Sequence, residues 1–163
     1  MGDRSQSFEA FFAEQYESVF RGLSVAFRDP LLAEEAAQEA FTRAYVHWRR
    51  VSQMDRPDGW VYVVAVRVAT RRRPSLGGRD VQTNEEDFAE DVVNHEMLRA
   101  AIDRLPARQR LAIVLRFLAD LPVDDVAEAM GCAPGTVKST LHAALARLHV
   151  DLDDVEEVEH DAP

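Results

Sequence analysis

Apolar residues recur at steps of three and four near the start of the chain: Phe8, Phe11, Phe12, Tyr16, Val19, Phe20, Leu23 and Phe27. That spacing puts them on one face and predicts a helix over about Ser7–Arg28. Asp29 and Pro30 then read as an N-cap followed by a first-turn proline, where the missing N–H has no intrahelical partner to lose. A second helix should run to about Arg50. Its apolar side is Leu32, Ala36, Ala40, Phe41, Ala44, Tyr45 and Trp48, and Glu34, Glu35, Gln38, Glu39, Thr42 and Arg43 lie opposite. Val51 to Gly59 holds Pro57 and Gly59 and reads as a loop. A third helix is expected over about Asp58–Arg73. Its Trp60–Val68 stretch is rich enough in β-branched residues to pass for a strand, but length and the flanking helices favour a helix. Pro74 stops it.

Ser75 to Val93 is acidic, contains Gly77-Gly78 and has little periodicity, as a flexible linker does. Periodicity resumes near Asn94, a candidate N-cap, with Met97, Leu98, Ala101, Ile102 and Leu105 on one face before Pro106. Ala107–Ala119 should form the next helix, with Leu111, Val114, Leu115 and Leu118 inward. A short helix, about Val123–Met130, ends at Gly131, placed where a left-handed C′ residue would sit. Pro134 opens a last helix through about Val150, burying Val137, Leu141, Ala144, Leu145 and Leu148. Two short helices around a glycine-containing turn make a helix-turn-helix candidate. The expected fold is all-α: two small helical domains, 1–74 and 94–150, joined by a flexible acidic linker, 75–93. The helix-turn-helix lies in the second domain, and the acidic tail, 151–163, should fray.

The chain's 163 residues suit one domain or two small ones. Its apolar runs fall far short of the roughly 18 residues of a membrane span. The opening MGDRSQSFEA has no apolar core of a signal peptide, so the expected location is the cytoplasm, with no membrane partner. Cys132 is the single cysteine and has no internal disulfide partner. The net charge of −10 argues against coating nucleic acid with the whole surface. Charge is nevertheless blocked: −5 over residues 1–40, +6 over 41–73, −6 over 74–98, +2 over 99–150 and −7 over 151–163. Screening at physiological salt lets each block act on its own neighbourhood.

Enzymatic readings fare poorly. No glycine-rich phosphate loop is present, since Gly77-Gly78 lies in an acidic stretch that would repel phosphate. His142 and His149 could share a helix face, but no cysteine or carboxylate completes a metal-ligand spacing. Cys132 has no evident activating partner. No cofactor, metal or catalytic group is expected. Nucleic-acid readings fare better. The second helix of a helix-turn-helix lies in the major groove with its early residues near bases and phosphates. Here these are Gly135, Thr136, Lys138, Ser139 and His142, small or hydrogen-bonding; a plain helical hairpin would show the same spacing. In the third helix, Arg56, Arg67, Arg71, Arg72 and Arg73 can partner phosphate. Trp48, Trp60 and Tyr62 lie nearby in sequence, a combination that suits unpaired strands. The tryptophans could equally be core residues.

LAEEAAQEAFTRAYVHW, Leu32–Trp48, and RPDGWVYVVAVRVATRRR, Arg56–Arg73, resemble region 2 of the extracytoplasmic-function (ECF) group of sigma-70 family RNA polymerase sigma factors. LPARQRLAIVLRFLADLPVDDVAEAMGCAPGTVKSTLHAALARL, Leu105–Leu148, is similar to region 4 of the same family. The resemblance covers most of residues 8–150, in the family's order. It implies a sigma factor that binds core RNA polymerase and directs promoter recognition and transcription initiation. Glu35, Gln38 and Glu39 would dock on the polymerase. Arg56, Trp60, Arg67, Arg71, Arg72 and Arg73 would open the minus-ten element and hold its displaced strand. Thr136, Lys138, Ser139 and His142 would read the minus-thirty-five element. Promoter DNA and core polymerase are the implied partners, and an anti-sigma factor is a further one the resemblance allows. The chain departs from the family pattern in having Arg67 for asparagine, Arg71 for aspartate, Ala133 for an N-cap serine, and Thr140, Ala143 and Leu145 for arginines. Two rivals are a stand-alone helix-turn-helix regulator and a sigma-like adaptor that binds only protein.

Overall fold

A computed structural model describes residues 7–73 and 92–160 of the chain, with 92–94 and 150–160 described by backbone alone. The Ser7 hydroxyl accepts the Ala10 N–H at 3.2 Å and starts α1, Phe8–Phe27. α1 ends where Arg28 turns left-handed, at φ 52°. One residue later the Asp29 carboxylate accepts the Leu32 N–H at 3.0 Å and opens α2, Pro30–Val46. Both caps satisfy N–H groups that the first helical turn leaves without partners.

The inner face of α2 is mostly alanine. Ala33, Ala36, Ala37, Ala40 and Ala44 are all fully buried. Side chains this small let α1 and α4, Pro57–Arg72, both press on α2. Periodicity found Ala36, Ala40 and Ala44 but not Ala33 and Ala37, and it assigned Tyr45 inward, where the structure leaves it 62% exposed. α2 also stops short of Arg50. His47 leaves the helical region, at φ −107°, ψ 20°, and a four-residue turn, α3, Trp48–Val51, redirects the chain. The turn aims Trp48 at the rings of Phe8 and Phe11, 5.5 and 5.0 Å away between centroids. The Trp60–Val68 stretch is helical, in α4. Its β-branched richness reflects burial on several sides: Val61, Val63, Val66 and Val68 are all buried.

The second half begins with α5, Val92–Arg104, two residues ahead of the expected Asn94 cap. Linker residues 75–91 lie outside the described residues. α6, Ala107–Ile113, passes into a widened π turn, Val114–Leu118, instead of continuing to Ala119. There the Ala119 N–H reaches back to the Val114 carbonyl at 2.9 Å, and Leu121 to Leu115 at 3.0 Å. The extra residue in the turn rotates the chain beyond it. Leu118, expected inward, is 49% exposed, and Leu121 becomes fully buried in its place.

α7, Val123–Met130, ends at left-handed Gly131, φ 64°, and α8 runs Pro134–His160. α8 buries Val137, Leu141, Ala144 and Leu148 but not Leu145, which is 47% exposed. It continues past Val150, so residues 151–160 of the tail are helical rather than frayed. The two halves pack on each other through α4 with α7 and α1 with α6, and their buried side chains form one contiguous core. Among the described residues there is no strand.

Candidate nucleic-acid interface

Five arginines flank or line α4, and their environments differ. Arg56 is the residue before α4. Its guanidinium pairs with Asp58 at 2.6 Å and donates across the molecule to the carbonyl oxygens of Asp120 and, at 3.2 Å, Ala119. The Asp58 hydrogen bond holds its pKa above the ordinary arginine value. Trp60, one turn on, is partly buried against the core. Arg67 reaches the Glu128 carboxylate at 3.3 Å and the Glu128 carbonyl at 3.5 Å. Arg71, one turn beyond, is exposed and has no ion pair among the described residues. Arg72 bridges Glu35 at 2.6 Å and Glu39 at 2.8 Å, chiefly the Glu35 bond raising its pKa. Arg73 turns back to the Phe27 carbonyl at 3.1 Å and the Asp29 carboxylate at 3.8 Å, tying the end of α4 to the α1–α2 corner.

The Glu35, Gln38 and Glu39 set lies on α2 beside this row. Gln38 donates to Glu34 at 3.4 Å, and Glu39 also pairs with Arg43. Arg72 therefore joins two groups that the sequence assigned separate tasks. These pairs are exposed, so each adds little to stability and leaves its charges available to water or a partner.

Thr136, Lys138, Ser139 and His142 are all exposed on the opening turns of α8, opposite its buried stripe. The Ser139 hydroxyl donates to the Thr136 carbonyl at 3.0 Å, and Thr140 donates to the same carbonyl at 2.7 Å. Both hydroxyls can still accept. Lys138 is the one cation between Arg116 and Arg147. This face can form hydrogen bonds in a groove but supplies little charge.

Some partners were not found by sequence reasoning. The acceptors that Arg56 and Arg67 meet in the second half come from about 60 residues away, and no local signal links them. Arg110 is another. It is only 7% exposed and donates to the carbonyls of Ala26 at 3.0 Å and Leu105 at 3.1 Å, fastening α6 to the end of α1. Tyr62 likewise fastens α4 to α1, donating to the Ser18 carbonyl at 2.7 Å, with burial pushing its phenol pKa up.

Residues 11–77 match the family described as Sigma-70 region 2, and residues 95–148 match Sigma-70, region 4. The chain is 31% identical to RNA polymerase sigma factor SigV of Bacillus subtilis, over 74% of this chain and 75% of that one. It is 30% identical to ECF RNA polymerase sigma factor SigL of Mycobacterium tuberculosis, over 78% of each. The chain belongs to the sigma-70 family of RNA polymerase sigma factors. This sigma factor directs transcription initiation, and its relatives include members named as ECF factors. Its fold is similar to that of the sigma factor RpoE from Bartonella quintana, crystallised with the anti-sigma factor NepR. That likeness has a TM-score of 0.69 at 20% identity, covering 90% of this chain and 96% of that one. None of the described helices is long and apolar enough to cross a membrane.

Proposed function

We propose that this sigma factor divides promoter recognition between α4 and the opening turns of α8 while α2 holds the polymerase. Glu35, Gln38 and Glu39 dock on core RNA polymerase. Arg56, Arg67, Arg71, Arg72 and Arg73, with Trp60, hold the displaced minus-ten strand, arginine on phosphate and ring on base. Thr136, Lys138, Ser139 and His142 enter the major groove of the minus-thirty-five element. The functional domains are 1–74 and 94–150, with 75–93 as the linker between them. The protein acts in the cytoplasm without cofactor or metal and is not itself an enzyme, since the polymerase carries out the chemistry. By its likeness to a factor crystallised with an anti-sigma protein, it is a candidate for control by a protein of that kind.

The observation that carries this reading is the arginine row of α4 in one chain with a helix-turn-helix whose reading face holds a single cation. A stand-alone regulator needs a recognition helix that binds by itself, and a purely protein-binding adaptor needs no row of arginines. Transcription from a promoter library with purified core polymerase, with and without the protein, tests it. Promoter-specific transcripts that require the protein are expected. Tight sequence-specific binding of the free protein to duplex DNA, with no effect on transcription, would favour the regulator.

A further inference from the structure

The exposed side of the opening turns of α8 is short of hydrogen-bond donors as well as of charge. Between Arg116 and Arg147 the chain has no arginine and a single lysine, Lys138. Thr136, Ser139 and Ala143 are exposed and follow one another at steps of three and four, so they form one line along the helix. The Ser139 hydroxyl gives its only proton to the Thr136 carbonyl, and half-buried Thr140 does the same. Ser139 is left with an oxygen that accepts. Thr136 and Ala143 bring methyl groups to the same line. Gly135, one residue before it, is exposed, and a Cβ added there would meet no atom within 4 Å. Its backbone is not left-handed either. Glycine weakens a helix, and here neither packing nor backbone geometry calls for one. The clearance it provides faces outward.

In the major groove guanine shows only acceptors, adenine and cytosine each carry an amino donor, and thymine adds a methyl group. Guanine is read mainly by bidentate arginine or lysine. We infer that α8 selects A·T pairs in the minus-thirty-five element by atom contacts, with Thr136 and Ala143 on thymine methyls and the Ser139 oxygen on a base amino group. The inference rests on the assignment of α8 to that element and adds the class of base it takes. An amino group of adenine or cytosine suits Ser139, and the two methyl contacts decide for A·T. A guanine edge at Ser139 sets acceptor against acceptor and leaves both without a partner. Guanine falls to Lys138, so at most one is selected. Side chains this short reach base edges only if the helix comes close, and Gly135 gives the room.

The test uses holoenzyme assembled from core polymerase and the full chain. It transcribes a promoter that it uses, with the minus-thirty-five segment randomised, and the transcripts are counted by sequencing. Thymine is expected at two or more positions and guanine at no more than one. Each selected thymine is then replaced by deoxyuridine, which keeps the pair and removes the methyl. Loss of one methyl contact should lower initiation about threefold at each of two positions. With the Thr136→Ser, Ala143→Ser double variant, thymine and deoxyuridine should give equal initiation at those positions. Guanine selected at two or more positions overturns the inference and leaves the α8 assignment standing. An A·T preference indifferent to deoxyuridine also overturns it, because duplex shape alone would then be read. So does a double variant that still favours thymine over deoxyuridine in full. If no position of the segment shows a preference, the assignment falls and the inference with it.

Discussion

The α4 face and the opening turns of α8, the two surfaces proposed to meet DNA, are built in opposite ways. α4 is dense in arginine, yet four of its five cations already hold protein oxygens. α8 is open, with Thr136, Lys138, Ser139 and His142 all exposed, yet it offers one positive charge. The first surface has electrostatic strength, most of it already paired with protein oxygens. The second is uncovered and lacks electrostatic strength. Charge neutralisation supplies most sequence-independent affinity for DNA. The α8 surface must therefore depend on tethering through the rest of the chain, which replaces affinity with effective concentration.

The comparison breaks most sharply on α4. On the proposed reading, Arg67→Glu with Arg71→Glu removes two charged contacts to phosphate, each worth roughly 1.5–3 kcal/mol. Open-complex formation is expected to fall at least about 100-fold, read by permanganate reactivity, while polymerase affinity holds. Arg71 is a cleaner target than Arg72, because reversing Arg72 would place a carboxylate beside Glu35 and Glu39 and disturb the proposed docking patch as well.

Next comes the joint between the surfaces. Arg110→Ala strands the buried carbonyls of Ala26 and Leu105, at a cost of about 2 kcal/mol, so the urea midpoint should drop. An unchanged midpoint would mean that this guanidinium fastens nothing. A smaller effect is expected at Gly131→Ala. No atom lies within 4 Å of the added Cβ, so only the left-handed backbone resists it, by about 1 kcal/mol. Denaturant melts should show that loss with no change in the polymerase-binding titration.

The smallest effect sharpens the α8 side. Lys138→Ala removes the one cation of the reading face, so the logarithmic salt slope of upstream duplex binding should decrease by about one unit. Activity should fall only at promoters that have an upstream element. An unchanged slope would make Lys138 a bystander and leave α8 to bind by hydrogen bonds alone.

Much of this molecule is set by local sequence. The Ser7 and Asp29 caps, the Gly131 turn and the helical stripes arise from interactions within a few residues, where spacing and side-chain chemistry leave few alternatives. Candidate residues for both nucleic-acid surfaces are visible in the same way, as a block of arginine and as a helix-turn-helix. What sequence could not supply is where an otherwise regular pattern breaks and what meets across the fold. The π turn inserts one residue and exchanges Leu118 for Leu121 in the core, a shift that a fixed helical period cannot register. The pairing of Arg56 and Arg67 with Ala119, Asp120 and Glu128 joins positions about 60 residues apart. The sum of charges along the chain gives no hint of it, because ion pairs and carbonyl bonds depend on distances in space that only the packing of α4 on α7 sets.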